Sequence, residues 1–184
     1  LHWMVHSFPT RRSSDLDGSS RSYWQHQIDD LRATERNIIH LDGRDVGKSI
    51  NLTTDALFYA FTSVGGSGLI AAPLQGHLDN IIEEVEFQFD TNPALAESIA
   101  VTPYGKLKIT RKPYYRVEFK NKSTLYFRPG GAYGDAFRSL HVERVWLDEG
   151  AWLTEQAWEA LRQCLKKGGR MRIYSTPNGL RNTT

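Results

Sequence analysis

Three short stretches of the chain carry residue types suited to chemistry on a phosphorylated substrate. The first is Gly47-Lys48-Ser49, which follows an apolar run at residues 38–41 and begins a helical pattern. A loop in this position offers backbone N–H groups and a lysine to phosphate oxygens, and the serine hydroxyl to Mg²⁺. The standard pattern requires glycine at position 42, where this chain has Asp42. The tripeptide is a weak signal by itself, and its flanking elements strengthen it.

The second stretch is an apolar strand pattern at residues 144–147 that ends in Asp148 and Glu149. Carboxylates at the C-terminal end of a strand lie where open α/β sheets bind ligands. We expect Asp148 to hold Mg²⁺ and Glu149 to orient and deprotonate an attacking water. The alternative is a solvated pair of acids, which the upstream phosphate-loop pattern makes less favoured.

The third stretch, Ser175-Thr176-Pro177, follows another apolar strand pattern. Its two hydroxyls are expected at the same edge of the sheet, where they can bond a γ-phosphate or a water and sense the nucleotide. The alternative is a plain turn built on Pro177 and Gly179.

The elements that position these residues alternate between helices and strands. Helical patterns cover residues 23–34, 47–63, 74–89, 92–100 and 154–169, the last capped by Thr154 and ended by glycine. Strands are predicted at residues 36–42, 67–73, 142–149 and 170–177, the first two of them buried, and a β-hairpin at residues 114–131 turns around residues 121–123. This order predicts an α/β P-loop NTPase fold with a mainly parallel sheet, helices on both faces and a β-hairpin insertion.

Composition narrows the functional classes. The 184 residues suffice for one domain, 40% are hydrophobic, and the net charge of +2 does not by itself indicate a nucleic-acid binder. No apolar run approaches the length of a membrane span, roughly 18–20 residues. A single cysteine, Cys164, rules out an internal disulfide and does not favour a zinc site; we expect it to be buried on a helix.

The N-terminal segment is treated separately. Residues 7–16 read as the translation of a common sequencing adapter, so residues 1–16 are interpreted as an assembly artefact and 17–184 as the domain. The alternative is a basic, serine-rich arm that contacts nucleic acid. Because the chain stops abruptly after residues 179–184, we expect it to be a C-terminally truncated fragment.

The motifs in this order resemble the large terminase subunit of tailed bacteriophages, the DNA-packaging motor. That family has a deviant phosphate loop with arginine four residues before the lysine, as Arg44 stands before Lys48. It has an upstream aromatic-Gln element that recognises adenine, which Gln25 matches, with Gln27 as the alternative. Its acidic pair matches Asp148 and Glu149, and its coupling motif resembles residues 175–179. The resemblance covers about residues 21–181.

The resemblance and the loop pattern together predict the site. The expected catalytic residues are Glu149, Arg44 and Lys48, and the expected Mg²⁺ ligands are Ser49 and Asp148. The expected coupling residues are Ser175, Thr176 and Pro177. The expected nucleotide-binding residues are Gln25, Gly43, Arg44, Asp45, Val46, Gly47, Lys48 and Ser49.

Two arginines carry separate expectations. The Arg44 guanidinium is expected to neutralise charge on the γ-phosphoryl group, as an arginine finger does. The alternative is a surface ion pair with a carboxylate such as Asp45. Arg138 stands where the family has an arginine before the acidic strand, but Ser139 replaces the usual glycine, so Arg138 has no assigned role.

The implied function is ATP hydrolysis, with ATP and Mg²⁺, that drives double-stranded DNA into a viral procapsid. Implied partners are double-stranded DNA, the portal protein and the small terminase subunit, in a homo-oligomeric ring in the host cytoplasm with no membrane. The family's nuclease domain is expected to be absent, so no DNA cleavage is expected. Basic and aromatic residues could contact DNA, although a solvated hairpin face is favoured: Lys106, Lys108, Arg111, Lys112, Tyr114, Tyr115 and Arg116.

Two other classes remain open. A helicase or other nucleic-acid-remodelling ATPase would carry a second motor domain and a coupling motif closer to Ser-Ala-Thr. A P-loop module that binds nucleotide without turnover would not need Glu149.

Overall fold

A computed structural model describes residues 23–43 and 46–177. The predicted adapter segment at residues 1–16, the two loop residues Arg44 and Asp45, and residues 178–184 lie outside the described part. The expectations placed on them therefore stay predictions.

The described chain alternates between helices and strands. The helices are α1 Gln25–Arg32, α2 Lys48–Thr62, α3 Gln75–Thr91, α4 Pro93–Ser98 and α5 Glu155–Cys164, with a 3₁₀ turn at Gly150–Trp152. The strands are β1 Asn37–Leu41, β2 Ser67–Ala72, β3 Ile109–Thr110, β4 Arg116–Glu118, β5 Thr124–Pro129, β6 Val142–Leu147 and β7 Leu165–Ser175.

Local chemistry sets the starts of two helices. The Asn92 side chain accepts a hydrogen bond from the Leu95 backbone N–H at 3.2 Å, and Pro93 occupies the first turn of α4. The Thr154 hydroxyl accepts one from the Ala157 N–H at 3.2 Å, which confirms the predicted cap of α5. These contacts satisfy N–H groups that a helix start leaves unpaired.

All seven strands form one sheet in the order β1-β7-β6-β2-β5-β4-β3. The first five strands in this order pair in parallel, and β5-β4-β3 pair antiparallel. The sheet is therefore mainly parallel, as predicted. Its parallel strands bring the segments that follow β1, β7 and β6 to one edge.

Each face of the sheet packs against its own apolar cluster. Trp146 joins the cluster formed with α1–α4, whereas its neighbours Val145 and Leu147 join the cluster formed with α5. Successive side chains on a strand point to opposite faces, so β6 must be apolar on both. Cys164 is buried in the α5 cluster, as predicted, and burial raises the pKa of its thiol to about 11.

Two predictions from the sequence were wrong: the burial of strand β1 and the end of helix α5. Strand β1 was predicted to be buried, but it lies at the sheet edge with Ile39 65% and Leu41 66% exposed. Helix α5 was predicted to extend to the glycines, but it ends at Cys164 because Leu165 already pairs with Val142 of β6. Tertiary pairing there overrides the helical propensity of the lysines.

The predicted hairpin is present as β4 and β5, with Lys122 at φ 69° in its turn. It is more than an insertion, because β5 also pairs in parallel with β2, from Ser67 against Thr124 to Ala72 against Pro129. The hairpin therefore extends the main sheet away from β1 and β7.

Candidate functional site

The three chemistry-bearing stretches meet at the C-terminal edge of the parallel strands. The loop after β1 lies beside β7, because Leu41 pairs with Ser175 and the Asp42 N–H donates to the Ser175 carbonyl at 3.1 Å. Strand β6 is the next neighbour of β7, with Leu147 opposite Ile173. This order brings the end of each strand to one site.

Lys48 lies at the centre of this site. Its ammonium donates to the backbone carbonyls of Asp42 at 3.2 Å and Gly43 at 2.6 Å. It also donates to the Thr176 hydroxyl at 3.0 Å. The lysine therefore joins the loop after β1 to the end of β7, and its three protons point to oxygen acceptors.

Glu149 is held by the same threonine. The Thr176 hydroxyl donates to Glu149 Oε1 at 3.0 Å, and the Thr176 N–H lies 3.4 Å from Oε2. Glu149 has a left-handed backbone, with φ 49° and ψ 46°, which non-glycine residues adopt at an energetic cost. Such strain is concentrated at functional sites, where surrounding contacts maintain it.

Asp148 is 7% exposed at the end of β6, and its N–H donates to the Ala71 carbonyl at 2.9 Å. Burial and the neighbouring Glu149 charge raise the pKa of Asp148 to about 6, while His77 and Lys48 oppose the shift. A cation bound beside these two adjacent carboxylates would offset their mutual repulsion. The donor set therefore suits a divalent metal that also binds phosphate oxygens.

Gly47 forms the N-terminal cap of α2 with a left-handed φ of 80°. A Cβ atom there would lie 2.3 Å from Gln27 Nε2, so only glycine fits. The buried Gln27 amide accepts from the Trp24 N–H at 2.9 Å and donates to the Gly47 carbonyl at 3.4 Å. Gln25 instead points to Asp29 on the exposed side of α1. The geometry favours Gln27, the alternative in the prediction, over Gln25 as the glutamine beside the loop.

The remaining predicted residues divide into three groups. Ser49 lies in the first turn of α2, and Gly43 and Val46 flank the two undescribed loop residues. The Ser175 hydroxyl is buried and accepts from the Ala151 N–H at 3.0 Å, whereas Pro177 is exposed. Arg44 and Asp45 lie outside the described residues, so their predicted roles stay predictions.

Cationic residues elsewhere bond to acids on the surface. Arg138 lies on an exposed loop with its Nε 3.3 Å from Asp135 Oδ1. In the hairpin region, Lys108 and Arg116 both pair with Glu118, at 3.1 and 2.9 Å. Arg111 of the same region pairs with Glu86, and Tyr115 is buried. These contacts favour the solvated-face interpretation of the region.

Sequence reasoning missed a buried ionic cluster beneath the loop. Asp30 of α1 bonds Arg172 and Tyr174 of β7, and Arg172 also pairs with Asp55 of α2. A signal was present in the sequence: Asp30 follows Gln27 by three residues on the apolar side of α1, and Arg172 interrupts an apolar strand. Charged residues at core positions are rarely left unpaired.

Several solved structures share this arrangement of elements. The Thermus phage P74-26 large terminase ATPase domain matches with a TM-score of 0.65 and 26% identity, over 84% of this chain and 65% of that one. The HK97 bacteriophage large terminase matches with a TM-score of 0.71 and 15% identity, over 94% and 36%. This chain has the fold of a phage large-terminase ATPase domain.

The terminase fold is shared over only part of the related proteins. This chain spans 65% of the P74-26 domain. It spans 38% of a large terminase from a thermophilic bacteriophage that was solved in complex with ATP-gamma-S. That complex matches over 83% of this chain with a TM-score of 0.61 and 16% identity. No protein-family model and no curated protein matches the chain.

Two kinds of feature are absent from the described part of the chain. Within residues 23–43 and 46–177, no group of three or more His, Cys, Asp or Glu side chains forms a metal site. Helices long and apolar enough to cross a membrane are also absent from that part of the chain.

Proposed function

We propose that the chain is the ATPase core of a DNA-packaging motor, which hydrolyses ATP to move double-stranded DNA into a viral procapsid. The observation that carries the proposal is the hydrogen-bonded path from Lys48 through Thr176 to Glu149 at the edge of the parallel sheet. This path joins a phosphate-binding cation to a hydrolytic carboxylate. A plain binding module has no need of the second group.

ATP and Mg²⁺ are the proposed substrate and cofactor. Support for the triphosphate comes from the glycine-dependent turn at Gly47 directly before α2, and from Lys48 beside it. Support for Mg²⁺ comes from the adjacent carboxylates Asp148 and Glu149, whose mutual repulsion a cation relieves. Mg²⁺ takes few protein ligands beside phosphate oxygens and waters, so Ser49 and Asp148 suffice.

Each residue has one proposed task. Lys48 binds the β- and γ-phosphate oxygens and offsets their charge. Glu149 orients the attacking water and accepts its proton. Bound Mg²⁺ supplies electrostatic stabilisation of the phosphate charge. Thr176 holds the Glu149 carboxylate and changes partner with the state of the γ-phosphate, which couples hydrolysis to β7 and to residues 175–177.

The remaining members of the site are proposed from the resemblance. Gly43, Arg44, Asp45 and Val46 complete the phosphate loop, and Arg44 neutralises charge on the transferring group. Gln27 is the proposed glutamine of the nucleotide site in place of Gln25, because Gln27 alone of the two lies against Gly47.

The proposed assembly follows from the same likeness. The chain would act in a homo-oligomeric ring with double-stranded DNA, a portal protein and a small terminase subunit, in the host cytoplasm. Solved relatives named as large terminases support this assembly at the level of fold.

The test uses phosphate release with and without linear double-stranded DNA. Wild type is expected to hydrolyse ATP, and Glu149→Gln to do so at least roughly 10²-fold more slowly while binding ATP·Mg²⁺ nearly as well. Asp148→Asn is the matched variant and should weaken Mg²⁺-dependent binding of a fluorescent ATP analogue. Equal turnover by Glu149→Gln and wild type would remove Glu149 from its role. Strand separation driven by ATP would favour a helicase instead.

A further inference from the structure

Asp30 is a buried carboxylate with an unusual number of donors. It is 8% exposed, and its Oδ1 accepts from Arg172 and lies 2.8 Å from His40 Nε2. Its Oδ2 accepts from the Tyr174 hydroxyl at 3.0 Å and from Asn51 Nδ2 at 2.8 Å. Four side chains from three different elements therefore converge on one carboxylate.

The Asp30 carboxylate is charged despite its burial. Burial opposes ionisation, but the adjacent His40 ring and the Arg172 charge outweigh it, so the pKa of Asp30 lies below its usual range. Arg172 adds bonds to the backbone of α1, donating to the Asp30 carbonyl at 2.7 Å and the Ala33 carbonyl at 2.9 Å. A buried charge with this many donors holds its surroundings in one arrangement.

The two elements joined at Asp30 each carry a residue that contacts the phosphate loop or its lysine. On α1, Gln27 lies one turn before Asp30 and contacts Gly47. On β7, Tyr174 lies two residues before Thr176, which bonds Lys48. A cavity of about 120 Å³ is lined by Asp30 and Tyr174 together with Gly47 and Lys48.

We propose that Asp30 is a positioning residue for the phosphate loop. By tying α1 to β7, it keeps Gln27 against Gly47 and Thr176 against Lys48 at the same time. The proposal rests on the proposed nucleotide site. It adds Asp30 as a residue that does not contact the phosphates but holds the loop in position. Hydrogen bonds within a buried charged network strengthen one another, so loss of this anchor should be measurable.

The structure provides a matched control in Asp55. Asp55 is 4% exposed in the same ionic cluster, accepts from Trp146 Nε1 at 2.7 Å and lies 3.2 Å from Arg172 Nε. Among the described residues, Asp55 makes no hydrogen bond or ion pair with Gln27 or with Tyr174. An effect on stability alone should therefore appear in both Asp30→Asn and Asp55→Asn, whereas an effect on the loop should appear only in Asp30→Asn.

The experiment measures equilibrium binding of a fluorescent ATP analogue and its displacement by ATP and by inorganic tripolyphosphate. Temperatures are chosen from each variant's unfolding curve so that the protein is folded. We expect Asp30→Asn to weaken binding of both ATP and tripolyphosphate about tenfold or more, and Asp55→Asn to change either by less than about twofold. Tyr174→Phe removes only the tyrosine hydroxyl that donates to Asp30, so it should weaken binding of both ligands to a smaller extent. This variant tests the proposal even if Asp30→Asn does not fold.

Three results would overturn the proposal. The first is equal losses in Asp30→Asn and Asp55→Asn, which would mark a purely structural cluster. The second is a loss for ATP with tripolyphosphate unchanged, which would assign Asp30 to the base and not to the loop. The third is unchanged binding in both Asp30→Asn and Tyr174→Phe. If wild type binds neither ligand, the proposed function itself fails, which is distinct from a failure confined to the variants.

Discussion

The Thr176 hydroxyl lies 3.0 Å from Glu149 Oε1 and 3.0 Å from Lys48 Nζ, so one side chain links the lysine after β1 to the carboxylate after β6. These groups are separated by about a hundred residues in the chain. Their contact depends on β7, which lies between β1 and β6 in the sheet.

Thr176→Ala should therefore reduce kcat more than it raises the ATP dissociation constant. Loss of a hydrogen bond to a charged group costs about 1.5–3 kcal/mol, which corresponds to roughly 10-fold to 100-fold in rate. Thr176→Ser keeps the hydroxyl and should retain most activity. Steady-state phosphate release and analogue binding measure the two effects. A Thr176→Ala variant with wild-type kcat would contradict the positioning role.

Lys48→Ala should abolish hydrolysis, because it removes the cation proposed to bind the phosphates. Lys167→Ala, an exposed lysine far along the chain, is the control and should keep wild-type turnover. The assay is phosphate release at saturating ATP. If Lys48→Ala keeps more than about a tenth of the wild-type rate, the loss is under roughly 1.4 kcal/mol and the phosphate-loop assignment is wrong.

Gln27→Ala and Gln25→Ala form a second matched pair. Gln27 contacts Gly47, whereas Gln25 bonds Asp29 on an exposed surface. We expect Gln27→Ala to weaken binding of the ATP analogue several-fold, on the scale of about 1 kcal/mol for a hydrogen bond, and Gln25→Ala to leave it unchanged. The reverse order would restore Gln25 as the nucleotide contact.

Arg44→Ala should lower kcat more than it raises KM, if the guanidinium stabilises charge that develops only in the transition state. Arg44→Lys should rescue incompletely, because an ammonium lacks the planar fork of donors. The measurement needs the proposed motor assembled with DNA, since a separate subunit of such an assembly can be nearly inactive. A surface ion pair would cost under roughly 1 kcal/mol and leave kcat intact, which would return Arg44 to a surface role.

The contribution of Asp30 to folding should depend on pH with a defined sign. Its pKa in the folded protein is lowered, so its stabilisation is present above the unfolded value of about 3.9 and is lost as pH falls through the folded value. The difference in urea midpoint between wild type and Asp30→Asn should be largest near neutral pH and shrink below about pH 4. Asp29→Asn, on the exposed side of α1, is the control. A difference that does not shrink in acid would show that the charge of Asp30 is not the stabilising feature.

The local sequence was sufficient to predict the elements of the site and their order. The apolar runs before residues 42, 148 and 176 predicted strands that end at one edge, and the structure confirms those strands. The spacing of hydrophobic residues and the residue types at helix ends are local properties. Helix α2 after Gly47 and the cap at Thr154 could therefore be recognised from neighbouring residues alone.

Three features were decided only by tertiary structure. Whether Gln25 or Gln27 contacts the loop depends on how α1 packs, and two residues along a helix point in different directions. The end of α5 depends on pairing of Leu165 with β6, which overrides helical propensity. The cluster around Asp30 joins residues up to 144 positions apart in the chain, so no local pattern could pair them. Composition and spacing predict which groups are present, but long-range packing determines which of them touch.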